Sequence, residues 1–92
     1  MEKIKVQHRN ITLSRIFRLI KENKITAKEF SRSIKVGQGN VTDWKTGRSK
    51  PSVQALRKIA KTYKVQLEWL TGDSKYRTKE EEFKNFKLEK GD

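Results

Sequence analysis

Between Gly37 and Lys45 the chain reads GQGNVTDWK, which gathers two planar amides, a hydroxyl, a carboxylate and an ammonium within nine residues. A planar amide donates and accepts in one plane, so Gln38 and Asn40 match the donor and acceptor that adenine shows in the major groove. The plainer use of either residue is to cap a helix or to stay solvated. Thr42 offers a hydroxyl to a phosphate or a methyl to thymine. Asp43 is the odd member. A carboxylate beside DNA is repelled unless it accepts from a cytosine amine or is neutralised by a neighbour, and a pair with Lys45 or Arg32 is the expected state. Gly39 has no side chain, so it would contribute close approach of its backbone.

These residues need elements that hold them outward. Thr26 followed by Glu29 is a capping box, in which hydroxyl and carboxylate each satisfy a free donor at a helix start. Ala27, Phe30, Ser31 and Ile34 then share one inward face at spacings of three and four. Val36 and Gly37 interrupt the run, and Val41 and Trp44 resume an apolar stripe in a second short helix. That stripe turns Trp44 inward, for packing and not for stacking on a base. Gly47 supplies the residue able to take positive φ after the second helix, and Arg48, Ser49, Lys50 and Pro51 form an extended basic exit. Two short helices around a tight turn, with basic flanks, form the layout of a helix-turn-helix.

The segment from Thr26 to Gly72 resembles the helix-turn-helix domain of the phage repressor and Cro family, including the XRE-type regulators. VGQGNVTDWKTGRSKPS (residues 36–52) is similar to that family's recognition helix and exit loop, and VQLEWLTGD (65–73) to its short fifth helix. The likeness runs from about Leu13 to Asp73. It implies an all-α, five-helix lambda-repressor-like DNA-binding domain. It also implies that Gln38, Gly39, Asn40, Thr42 and Asp43 face the bases. Thr26, Lys28, Arg32, Lys45, Thr46, Arg48, Ser49 and Lys50 would then lie along the phosphate backbone. The sequence departs from the family at Ala27 (usually Gln), Ser31 (usually Ala) and Lys35 (usually the turn glycine). A side chain held at positive φ costs on the order of 1 kcal/mol. Either Lys35 bears that cost or Gly37 rebuilds the turn.

Leu13, Ile16, Phe17, Leu19 and Ile20 mark a first helix that ends near Asn23. Ser52 is the expected N-cap of a fourth helix, with the stripe Val53, Leu56, Ile59, Ala60 and Tyr63. Val65, Leu67, Trp69 and Leu70 form the fifth, stopped at Gly72. The expected organisation is thus a basic N-terminal arm over 1–10, mobile or extended, a domain over 11–73, and a charged tail over 74–92. In the tail, Thr78 and Glu81 suggest another capping box and a sixth helix. Its apolar residues Tyr76, Phe83, Phe86 and Leu88 are too few to hold a helix alone. A solvated helix or frayed terminus, a dimerising or core-docking element, and the start of a linker to a further domain all fit.

The chain has 92 residues and a formal charge of +12, and the surplus is local. Residues 1–73 carry 17 Lys and Arg against 6 Asp and Glu, while 74–92 carry 6 against 5. A polyanion is the natural partner, because each neutralised phosphate releases condensed counterions. An anionic membrane would attract the same charge, but no basic segment has the apolar opposite face that interfacial helices use. No cysteine is present, which excludes disulfides and thiolate metal sites and fits the cytoplasm. His8 is the only histidine, so no two-histidine metal site and no histidine-assisted nucleophile can be built. The Glu80–Glu82 run reads as solvated, no glycine loop cradles a phosphate, and neither catalysis nor a cofactor is expected. The resemblance implies a bacterial or phage-encoded repressor, nucleoid-associated when bound, occupying a palindromic double-stranded operator as a homodimer. A protein antagonist is left unidentified. The alternative is an antitoxin or antirepressor whose main partner is another protein.

Overall fold

In a computed structural model that describes residues 2–90, with side chains from 11 to 85, the described chain is six helices without a strand. They are α1 (Glu2–Glu22), α2 (Ala27–Ser33), α3 (Gln38–Thr46), α4 (Val53–Tyr63), α5 (Leu67–Thr71) and α6 (Lys79–Lys90). The expected all-α architecture forms, with the sixth helix added to the five. One correction falls at the start. The stretch 1–10, expected as an arm or an extended segment, is helical from residue 2 and continuous with α1. The alternation of Ile4 and Val6 that suggested extension spans too few residues to define a period. The side chains of His8, Phe86 and Leu88 lie outside the described residues.

The caps explain where the central helices begin. The Glu29 N–H donates to the Thr26 hydroxyl at 3.0 Å while the Thr26 N–H donates to the Glu29 carboxylate at 2.8 Å, completing the box. The Ala55 N–H donates to Ser52 Oγ at 3.1 Å. At α6 the reciprocity is offset. The Glu81 N–H donates to Thr78 Oγ1, but the Glu81 carboxylate accepts from the Arg77 N–H, one residue earlier than a capping box would place it.

The ends of the helices are less ordinary. Gly47 and Gly72 take φ of +83° and +90°, while Lys24, Lys35 and Lys64 take φ of +54°, +57° and +59°. Lys35 therefore bears the left-handed turn between α2 and α3, and Gly37 keeps an ordinary φ of −69°. Each such lysine costs on the order of 1 kcal/mol relative to a relaxed backbone. The recovered hydrogen bonds offset part of this: the Lys35 N–H donates to Arg32 O and the Val36 N–H to Ser31 O.

The core joins the inner faces of α1 to α5. Ile16, Leu19, Phe30, Ile34, Val41, Trp44, Ile59, Trp69 and Leu70 are all buried within it. Val53 does not join them. It is 58% exposed, and Ala55 takes the inward place, because the buried arc of α4 is set by Ala55, Leu56 and Ile59 at spacings of one, three and four. Ser31, where a family member usually has Ala, is buried with its hydroxyl donating to Lys28 O at 2.8 Å, so the polar atom is satisfied within its own helix. Tyr63 at the end of α4 stacks on Phe30 with ring centroids 5.5 Å apart and shares a 2.6 Å hydrogen bond with Ser33. These two contacts fix α4 against α2.

Beyond α5 the chain is strapped down before α6 starts. The Gln66 N–H donates to Arg77 O, and Gln66 Nε2 donates to Tyr76 O and to Glu82. Arg77 pairs with Glu22 through both terminal guanidinium nitrogens, Nη1 and Nη2. The guanidiniums of Arg15 and Arg77 lie 5.0 and 5.2 Å from the Trp69 ring centroid. Arg15 also donates to the carbonyls of Trp69 and Ser74.

Candidate nucleic-acid interface

The core side of α3 is set by Val41 and Trp44, at 1% and 4% exposure. With about 3.6 residues per turn, the direction opposite those two falls on Gly39, Thr42, Asp43 and Thr46, with Gln38 and Asn40 on the shoulders. All of these are exposed except Asp43, which is half-buried. Gly39 and Thr46 share the pole, one in the first turn and one in the last, and the first-turn position holds the shortest residue of the helix. A Cβ built at Gly39 would meet nothing within 4 Å, so the fold itself places no demand for glycine there.

The first turn of α3 is open. Its N-cap, Gly37, makes no side-chain bond to the helix, whereas α2 and α4 are capped by Thr26 and Ser52. The N–H groups of a helix start have no intrahelical partner, and the helix dipole favours a negative charge before them. Thr42 does not advertise its hydroxyl proton. Its Oγ1 donates to Gln38 O at 3.2 Å, leaving acceptor capacity and the methyl outward.

Asp43 corrects an expectation. Neither Lys45 nor Arg32 pairs with it, and both ion pairs among the described residues belong to Glu22, with Arg18 and Arg77. Asp43 works through its backbone. Its carbonyl accepts from the N–H of Arg48 at 2.8 Å, from that of Ser49 at 3.3 Å and from the Thr46 hydroxyl at 3.2 Å. The left-handed Gly47 makes this reversal possible, and it presents the Arg48, Ser49 and Lys50 side chains, all exposed, directly after α3.

On the other flank stand Lys28 and Arg32, exposed and four apart on one side of α2. Thr26 at the helix start accepts from Glu29 and keeps its hydroxyl proton for another acceptor. Glu29 is engaged in the cap. Lys28, Arg32, Lys45, Arg48 and Lys50 have no carboxylate partner among the described residues, so their charge is uncompensated on α2 and at the C-terminal end of α3.

A family model described as helix-turn-helix matches residues 15–70, more than half of the chain. This chain belongs to the XRE-type helix-turn-helix family. It is accordingly a DNA-binding regulator of that family, and α2 and α3 are its helix-turn-helix. No curated protein and no solved structure matches the chain. Among the described residues no helix is long and apolar enough to cross a membrane.

What the residue pattern did not disclose is how this XRE-type domain holds its tail. The contacts of Arg15, Glu22, Gln66, Trp69 and Arg77 join residues up to 59 apart in sequence. No local period carries such information. The Arg77 hydrogen bond outweighs the desolvation that would raise the Glu22 carboxyl, and with smaller contributions from the Arg77 and Arg18 charges it holds the group below its ordinary pKa. The Arg77 guanidinium is pushed up by the same bond. Burial, aided by the nearby Arg18 charge, lowers Arg15.

Proposed function

We propose that this protein is a sequence-specific transcriptional repressor of the phage-like kind, which occupies a palindromic operator as a dimer in the bacterial cytoplasm. The observation that carries the reading is the open N-terminal turn of α3, with polar side chains on its outward arc and uncompensated cations on both flanks. Gln38 and Asn40 read base edges from the shoulders of the helix. Thr42 and Asp43 border the same bases, and Gly39 lets the backbone come close. Thr26, Lys28 and Arg32 hold one phosphate strand; Lys45, Thr46, Arg48, Ser49 and Lys50 hold the other side.

Reading and holding divide the free energy differently. Phosphate contacts are the same at every sequence and supply affinity that falls with salt, whereas amide contacts discriminate one base pair from another. One domain presents one α3 and covers only a few base pairs. Useful specificity therefore needs two half-sites about 34–36 Å apart, matched by two copies of the chain. Bound at a promoter, such a dimer blocks transcription by occupying it.

Selection of bound sites from a random DNA pool tests the proposal. A palindrome with half-site centres one helical turn apart is the expected result. An asymmetric single half-site removes the dimer, and the absence of any enriched sequence removes sequence-specific reading.

A further inference from the structure

Between Asp43 and Glu68 the chain contains seven lysines and arginines and not one acidic residue. Three of those cations, Lys45, Arg48 and Lys50, belong to the α3 flank. The others sit on α4 and at its end. Gln54, Arg57, Lys58 and Lys61 recur at intervals of three, four and seven, all exposed, on the side of α4 turned away from Ala55, Leu56 and Ile59. None of the three cations has an ion-pair partner among the described residues.

Such a stripe works against the fold. Arg57 and Lys61 are four apart and Lys58 and Lys61 three apart, spacings at which like charges repel and weaken a helix. A chain already at +12 gains no solubility that would require more positive charge, and self-repulsion disfavours the compact state. We propose that the outward face of α4 is a second, sequence-independent contact for DNA phosphates, separate from the α3 footprint. The proposal rests on the reading that the chain binds duplex DNA.

Position supports this partner. α4 begins at Ser52, directly after the basic exit loop, so its exposed cations follow Arg48 and Lys50 along the chain within three helical turns. At about 1.5 Å per residue, Lys61 lies roughly 14 Å along the axis from that N-cap. That exceeds the screening length of about 8 Å at physiological ionic strength. Phosphates held at the exit loop are therefore screened from Lys61, so a phosphate contact at that end of the stripe would be a separate one. The phosphodiester chemistry is one, and its sources are two: the flanking turns of the same duplex, or a second duplex brought alongside.

The test uses the full chain with Arg57→Gln, Lys58→Gln and Lys61→Gln combined, all at exposed positions. Its melting temperature should match or exceed that of the parent, because repulsion is removed. Affinity is titrated against salt on a duplex one helical turn long and on one several turns long, with energy transfer between two labelled duplexes as a bridging readout. A log-log slope shallower by up to about 2.7 on the long duplex, and unchanged on the short one, assigns the stripe to flanking DNA. Loss of bridging with both slopes unchanged assigns it to a second duplex. No change in either slope or in bridging overturns the proposal. Arg48→Gln is the control, expected to lower the slope by about 0.9 on the short duplex. If that control also does nothing, the DNA-binding reading itself has failed, and not only the role of α4. Should the triple variant melt early, Lys61→Gln alone, with one third of the effect, decides the matter.

Discussion

Replacing Gly39 by alanine should stabilise the protein and weaken its complex with DNA. The two signs come from different places. In the free protein Gly39 has an ordinary φ and is the second residue of α3, and an added Cβ has no atom within 4 Å. Alanine in a helix is favoured over glycine by roughly 0.5–1 kcal/mol. For a domain of this size that raises the melting temperature by about 2–8 °C. In the complex the same methyl would stand in the first turn of the outward arc of α3, where glycine now leaves room for a duplex. Overpacking at a closed contact costs about 1–3 kcal/mol, which is about 5- to 150-fold in affinity. A thermal melt followed by circular dichroism gives the first sign, and anisotropy of a labelled duplex gives the second. A higher melting temperature with unchanged affinity would mean that the pole of α3 does not meet DNA. A lower melting temperature would mean that the packing around α3 is misjudged.

Two further changes test the fold that carries the site. Lys35→Gly should leave stability unchanged or slightly raised, whereas Lys35→Val should cost more than about 1 kcal/mol, because a β-branched residue at positive φ is strongly disfavoured; equal melts for the two would put the turn elsewhere. Arg77 depresses the Glu22 pKa, so the stabilisation from this pair is complete above the ordinary carboxylate value, near 4.3, and is lost as pH falls through the lower folded value. The difference in melting temperature between the parent and Glu22→Gln should therefore be largest near neutrality and shrink toward pH 3. A difference that stays constant with pH would contradict the assigned cause.

Much of the helix-turn-helix is legible in the sequence because it is local. Thr26 with Glu29, Ser52 and Gly47 are caps, and a cap is a relation among neighbours that survives folding unchanged. Val41 and Trp44, three apart, were enough to turn α3 the right way. Where the pattern failed, the reasons are specific. Val53 has the right spacing from Leu56 to be core, but Ala55 and Ile59 rotate the buried arc past it, and a small residue such as Ala55 gives little signal in an apolar stripe. Charge alone suggests an ion pair for Asp43, whereas its backbone carbonyl is what the exit loop uses. The turn at Lys35 was undecided because sequence cannot say which of two nearby residues takes positive φ. The Arg15, Trp69 and Arg77 cluster is a product of tertiary packing and has no local trace.

The central claim is that α3 reads bases while its flanks hold phosphates, and a salt titration of three proteins tests it most directly. Gln38→Ala should lose about 1–3 kcal/mol on the selected site, little on random DNA, and keep the parent slope. Arg48→Ala should weaken both DNAs alike and lower a parent slope of about −5 to −7 per monomer by roughly one unit. If Gln38→Ala instead loses the same on random DNA as on the selected site, or loses nothing, then α3 is not the reading helix.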